Sequence, residues 1–127
     1  MTTFLIDSNI LMDFFKKKDY SISLIDILSE KGHLAVSILT VTELRAGWTD
    51  QQANFYLPRF YRLINVKNIT LEIAELAGKF RKDFKAKGII LPVVDTLIAA
   101  TAINEKYFLV TRNKKDFPMK QIKFYEF

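Results

Sequence analysis

The chain has 127 residues, half of them hydrophobic, which sets aside intrinsic disorder and fits one domain over residues 1–127 with a genuine core. It holds no cysteine, which removes disulfides, thiolate metal sites and thiol nucleophiles, and fits a cytoplasmic protein. Its net charge is +5, from 19 Lys and Arg against 14 Asp and Glu, a balance that suits a polyanionic partner without specifying one.

Hydrophobic patterning predicts strands alternating with helices. Thr3 to Ile6 is a continuous apolar run, as expected of a central parallel strand. A helix follows, with Ile10, Leu11, Phe14 and Phe15 on one side and Lys16, Lys17 and Lys18 at its end. A second helix is predicted from about Tyr20 to Lys31, stopped by Gly32, and a second strand from His33 to Ile38. Thr40 to Ala46 reads as a short helix ended by Gly47. Gln51 to Leu63 reads as helical but holds Pro58, so a kink or two pieces are expected. Asn65 to Lys67 is a candidate short strand. Leu71 to Lys87 is a long amphipathic helix with Ile73, Ala77, Phe80 and Phe84 at helical spacing, ended by Gly88. A helix from Asp95 or Thr96 to Glu105 is apolar nearly all round, hence buried. Tyr107 to Thr111 and Ile122 to Tyr125 complete the strands. This alternation predicts an α/β fold, a parallel sheet with helices on both faces. No apolar run reaches the roughly 18 residues of a membrane span, and the opening MTTFLIDSN lacks the pattern of a signal peptide.

Four acids stand at the ends or starts of these apolar elements: Asp7 in FLIDSNIL, Glu43 in SILTVTELRAG, Asp95 in VVDTLIAATA and Asp116 in VTRNKKDF. In a parallel α/β fold such positions gather outside the carboxyl ends of the strands. Carboxylates at about 4 Å repel by on the order of 4 kcal/mol per pair at an effective dielectric near 20. A hard divalent cation offsets that repulsion, and Mg2+ and Mn2+ prefer such all-oxygen ligands. Each acid also has a plainer reading. Asp7 and Asp95 can cap helices, Glu43 can complete a capping box begun by Thr40, and Asp116 can sit in an exposed turn. Ser8, Asn9, Thr111 and Asn113 flank the acids as candidate hydrogen-bond partners for them. Setting four acids aside leaves ten, so the rest of the chain carries +9.

Alternative chemistries find little support. His33 is the only histidine, which excludes a two-histidine ribonuclease mechanism, and it reads as structural. No glycine-rich phosphate loop follows the first strand. Asp7-Ser8-Asn9 lacks the second aspartate of phosphatases that form an aspartyl-phosphate. Hydrolysis by metal-activated water remains. Candidate phosphate-binding cations are Arg112, Lys114 and Lys115, the Lys16–Lys18 run, and Arg81, Lys82, Lys85 and Lys87; an ordinary solvated face is the plainer reading of each.

The order of four segments resembles the PIN-domain family, and within it the VapC-type toxins of bacterial and archaeal toxin–antitoxin pairs. The segments are the opening strand with D-S-N, the S-x-x-T-x-x-E-L stretch of Ser37, Thr40, Glu43 and Leu44, D-T-L-I-A-A-T-A, and L-V-T-R-N-x-x-D-F. The resemblance covers nearly the whole chain. It implies a PIN-like three-layer fold, with a central parallel sheet of about five strands and helices on both faces. It implies a Mg2+- or Mn2+-dependent endoribonuclease with Asp7, Glu43, Asp95 and Asp116 as catalytic metal ligands, Asp116 being the position that varies most. Thr111 and Asn113 match polar positions near the site. Thr96 departs from a small apolar residue common in related toxins. The implied partners are RNA, an antitoxin and a second copy of the chain. The aromatic-rich stretch Phe55–Tyr61 is a candidate partner surface, against the plainer reading of core packing. A PIN nuclease of RNA maturation and a non-catalytic RNA-binding module are the competing readings.

Overall fold

The computed structural model describes residues 1–127. Its elements in chain order are β1 (Thr3–Ile6), α1 (Ser8–Phe15), α2 (Asp19–Lys31), β2 (His33–Ser37), α3 (Ile38–Ala46), α4 (Asp50–Leu63), β3 (Asn65–Lys67), α5 (Leu71–Ala86), α6 (Val93–Glu105), β4 (Phe108–Val110) and β5 (Lys123–Phe124). A 3-10 turn at Lys114–Asp116 lies between the last two strands. The five strands form one sheet in the order β3-β2-β1-β4-β5, every pair parallel. The α/β sheet expected from the alternating pattern is therefore present. No helix is long and apolar enough to cross a membrane.

Side chains alternate across the sheet with the period of a strand. Phe4 and Ile6 of β1, Leu34 and Val36 of β2, and Val110 of β4 enter one core with Ile10, Leu11, Leu24, Leu28, Leu44 and Phe60. Leu5, Ala35 and Leu109 enter the other, with Phe80, Ile98, Ala99 and Ala102 of α5 and α6. Strands buried on both faces must read as unbroken apolar runs, which is why TFLI does. Helix α6 packs closely on α5 through Ala100 against Ile73 and Ala77. Thr96 and Thr101 are fully buried there, and their hydroxyls donate to the carbonyls of Pro92 (2.6 Å) and Leu97 (2.7 Å). Thr96 thus satisfies itself within its helix.

Three boundaries correct the expectation and bear on the site. Helix α3 starts at Ile38, capped by the Ser37 hydroxyl, which accepts from Leu39 N at 3.1 Å. Thr40 is buried inside the helix, so Glu43 belongs to no capping box. Helix α6 starts at Val93 behind Pro92, which puts Asp95 in the first turn and not at the cap. Helix α4 is one piece and not two, running through Pro58. Pro58 and Asn54, whose carbonyl loses its amide partner, both lie on the solvent side, where water can take that bond.

Gly32 ends α2 because the chain must pass close to β1. Its φ of 178° is extended, but a Cβ there would lie 2.1 Å from the Thr2 carbonyl oxygen. Gly78 on α5 faces open space. Gly32→Ala is predicted to cost about 1–3 kcal/mol through overpacking. Gly78→Ala should gain about 0.5–1 kcal/mol through helix propensity. Denaturant unfolding of the two variants checks both signs.

Candidate functional site

The sheet order reverses direction between β1 and β4, and in open α/β sheets ligands bind in the crevice at such a switch point. Asp7 sits there. Its backbone N–H donates to Val110 O at 2.9 Å, tying the end of β1 to the end of β4. The side chain is 5 % exposed. Oδ1 accepts from Ser8 N at 2.9 Å. Oδ2 accepts from the Thr111 hydroxyl at 2.8 Å and from Asn9 Nδ2 at 3.0 Å. Thr111 also accepts from Asn9 Nδ2 (3.2 Å) and from Asn113 N (3.1 Å), so its one donor and two acceptor sites are all used. Asn9 Oδ1 takes the Arg112 amide at 3.2 Å. All four polar residues expected beside the acids therefore belong to this network, Ser8 and Asn113 through their backbone amides.

The other three acids reach the same crevice from separate elements. Glu43 comes from the middle of α3, Asp95 from the first turn of α6 and Asp116 from the exposed 3-10 turn. They share one electrostatic field. Burial pushes the Asp7 carboxyl above its ordinary range, Thr111, Ser8 and Asn9 moderate this, and the Asp116 charge adds to it. Burial also raises Glu43, followed by the Asp7 charge and, after relief from Ser8, by Asp95. Asp95 is raised by burial, then by Asp7 and Asp116. Glu43 Oε1 is buried without any hydrogen-bond partner. A buried, unpaired carboxylate oxygen is costly unless something positive meets it.

The donor set is all oxygen, which fits Mg2+ or Mn2+ in chemistry. As the side chains stand, no three His, Asp or Glu groups converge closely enough to hold an ion. Asp7 is fixed by its three bonds. Ligation would therefore require rotation of the other acids, not of Asp7. The plain capping reading survives only in part, through the Asp7–Ser8 contact at the start of α1.

Sequence reasoning passed over Asp13. This carboxylate on α1 is buried, and it meets Lys18 at 3.1 Å, Arg112 at 3.2 Å and the Tyr20 hydroxyl. Burial alone would raise it, but Tyr20, Lys18 and Arg112 outweigh that and hold it below the usual carboxylate range. Tyr20 in turn is pushed up to about 12 by burial and by Asp13. The sequence signal was an acid on the apolar side of a short helix beside two phenylalanines. Three of the expected phosphate-binding cations are engaged in ion pairs, Lys18 and Arg112 with Asp13 and Lys114 with Glu126. Lys115 stays exposed.

A group whose folded pKa is raised contributes full stability below its unfolded pKa and loses it as pH rises through the folded value. Asp7, Glu43 and Asp95 should thus make the metal-free protein less stable at pH 7.5 than at mildly acidic pH. Asp13, shifted down, acts oppositely and sustains the fold until pH falls below the usual carboxylate range. Glu43→Gln is predicted to raise the Tm at pH 7.5 by a few degrees, with a much smaller gain near pH 4.5. Asp7→Asn should gain less, because an amide nitrogen cannot accept the two donors on Oδ2. Thermal melts in chelator at both pH values check the order.

A family model described as PIN domain matches residues 4–124. The chain is 34% identical to ribonuclease VapC1 of Methanocaldococcus jannaschii over 113 residues, covering 89% of this chain and 77% of that one. It is 27% identical to ribonuclease VapC2 of Rickettsia felis, over 90% of this chain and 89% of that one. The fold is similar to that in the crystal structure of VapBC2 from Rickettsia felis bound to a promoter DNA fragment, with a TM-score of 0.87, 23% identity and 99% of both chains covered. It is similar also to a toxin–antitoxin complex from Klebsiella pneumoniae, with a TM-score of 0.76, 28% identity and 97% and 98% coverage. With Asp7, Glu43, Asp95 and Asp116 gathered at the switch point of a five-stranded parallel sheet, the chain belongs to the PIN-domain family and to its VapC branch.

Proposed function

We propose that this protein is a Mg2+- or Mn2+-dependent endoribonuclease and the toxin of a toxin–antitoxin pair. The observation that carries the metal is Glu43 Oε1, buried and unpartnered beside two further acids that repel it. The relatives named as ribonucleases support the substrate class. The crevice residues then divide the work. Asp7, locked by Thr111, Asn9 and Ser8, would be the fixed ligand, and Glu43, Asp95 and Asp116 would supply the remaining carboxylate oxygens. A divalent ion held by these residues would supply an activated water and positive charge for the phosphate. No side chain of the crevice needs to become a nucleophile. Because the attack does not use the ribose 2′-hydroxyl, the products carry 5′-phosphate and 3′-hydroxyl ends.

Cleavage of a defined RNA should require Mg2+ or Mn2+ and stop in excess chelator. Thr111→Val should lower kcat by about 10–100-fold, the usual cost of removing a group that orients a ligand. Asp95→Asn should cost more than that, and Asp116→Asn less. Activity in chelator, or 2′,3′-cyclic phosphate ends, contradicts the mechanism.

The partner surface expected at Phe55–Tyr61 is divided by the structure. Phe60 is 2 % exposed and belongs to the core, which corrects its assignment to a surface. Phe55 and Tyr61 are about half exposed. Tyr56 joins Phe15 and Trp48 around a cavity of about 230 Å³ that also involves Met12 and Leu44. This apolar groove between α1, α3 and α4 suits the antitoxin. The similar VapBC and Klebsiella structures are toxin–antitoxin complexes, which supports such a partner. A homodimer forms part of the same proposal. Tyr56→Glu and Phe55→Ala should weaken binding of the co-expressed antitoxin at least about tenfold, since aromatic residues dominate interface energetics. Wild-type affinity in both variants rules the groove out.

A further inference from the structure

Helices α5 and α6 are joined by the short stretch 87–92 and pack along each other, so they run antiparallel. Helix α6 begins at the crevice, where its first turn presents Asp95. The last turns of α5 therefore lie beside the segment that leads into α6, on the same side of the fold as the crevice. There Arg81, Lys82 and Lys85 line a cleft of about 230 Å³ together with Ile90 and Leu91. Arg81 and Lys85 stand one helical turn apart on the same face. Arg81 Nε donates to the Leu91 carbonyl at 3.3 Å, which fixes the floor of the cleft four residues before Asp95. Ile90 at the rim is 80 % exposed.

None of the three cations of this cleft has a carboxylate partner, whereas the Lys16–Lys18 and Arg112–Lys115 clusters each hold paired ones. Six ion pairs occur in the molecule, and they engage Lys18, Arg45, Lys67, Lys79, Arg112 and Lys114. Arg81, Lys82 and Lys85 are in none of them. A cation already neutralised by a carboxylate must break that pair before it can meet a phosphate. An unpaired one exchanges only its counterion, which is the source of salt-dependent binding to nucleic acid. Cations beside an exposed aliphatic side chain also match the two surfaces of a nucleotide, its charged phosphate and its apolar base.

We propose that the α5–α6 cleft is a phosphate-binding subsite, in which Lys82, Lys85 and Arg81 grip the backbone of single-stranded RNA leading into the crevice at Asp95. This rests on the ribonuclease reading. It assigns substrate grip to α5 and not to the Arg112–Lys115 segment, whose cations are largely paired.

The test uses the full-length protein and a single-stranded oligoribonucleotide. Binding is followed by fluorescence anisotropy in chelator and cleavage kinetics in Mg2+, each over a series of salt concentrations. Lys82→Glu/Lys85→Glu should raise Kd and KM about tenfold or more, with kcat within about twofold of wild type. The slope of log K against log salt should become shallower by about 1.4, the value for two phosphate contacts on a single strand. The control Lys106→Glu/Lys123→Glu makes the same charge change after α6 and at the start of β5, at the sheet edge remote from the crevice, and should bind like wild type. Equal losses in both double variants would mean a general charge effect and overturn the subsite. Wild-type Kd and slope in the cleft variant would overturn it too. So would an intact RNA Kd combined with loss of antitoxin binding, which assigns the cleft to a protein partner. If the wild-type protein itself neither binds nor cleaves RNA, the ribonuclease reading has failed rather than the subsite alone.

Discussion

The site depends on one buried carboxylate. Asp7 is nearly inaccessible, and a carboxylate that loses its water must be repaid by hydrogen bonds or by a positive charge. Three donors meet it, and they come from both sides of the crevice: Ser8 and Asn9 from the start of α1, and Thr111 from the end of β4. The same residues join β1 to β4 where the sheet order turns. The interaction that holds Asp7 in place is thus also the one that closes the switch point. Loosening Thr111 would disturb the proposed metal ligand and the strand end together.

Around that fixed point the fold gathers acids it does not satisfy. Glu43 keeps an unpartnered buried oxygen, and Asp95 is raised by burial and by its neighbours. These are costs to the fold that no structural role offsets. Asp13 shows the contrast. It is more deeply buried than either, yet it is met by Lys18, Arg112 and Tyr20, and its carboxyl is held below the ordinary range. One buried acid on α1 is fully matched and structural. The acids in the crevice are left open to a cation. That difference, more than the number of acids, marks the crevice acids as the candidate site and Asp13 as structural.

Much of this was legible in the sequence. The apolar runs TFLI and HLAV could only be strands buried on both faces, and the acids at their ends had to converge in a parallel fold. Local rules misled where tertiary packing chose otherwise. Thr40 and Glu43 satisfy the capping-box pattern, but Ser37 takes the cap and Thr40 is drawn into the core. Pro58 suggested a kink or two pieces, yet an exposed carbonyl can be hydrated and the helix continues as one piece. Asp13, Tyr20 and Arg112 were not legible together, because 99 residues separate the acid from the arginine that meets it. The aromatic stretch could not be divided by composition either. Helical phase places Phe60 in the core and leaves Phe55 and Tyr61 outside.

The claim at the centre is that the crevice acids hold a divalent cation. Electron paramagnetic resonance of added Mn2+ tests it without reference to any substrate. The wild-type protein should bind Mn2+ and release it to Mg2+, Asp95→Asn should bind it at least about tenfold more weakly, and Asp13→Asn should leave the affinity unchanged if it folds. Wild-type Mn2+ affinity in both Asp7→Asn and Asp95→Asn would contradict the account, as would wild-type protein that binds no Mn2+ at millimolar concentration.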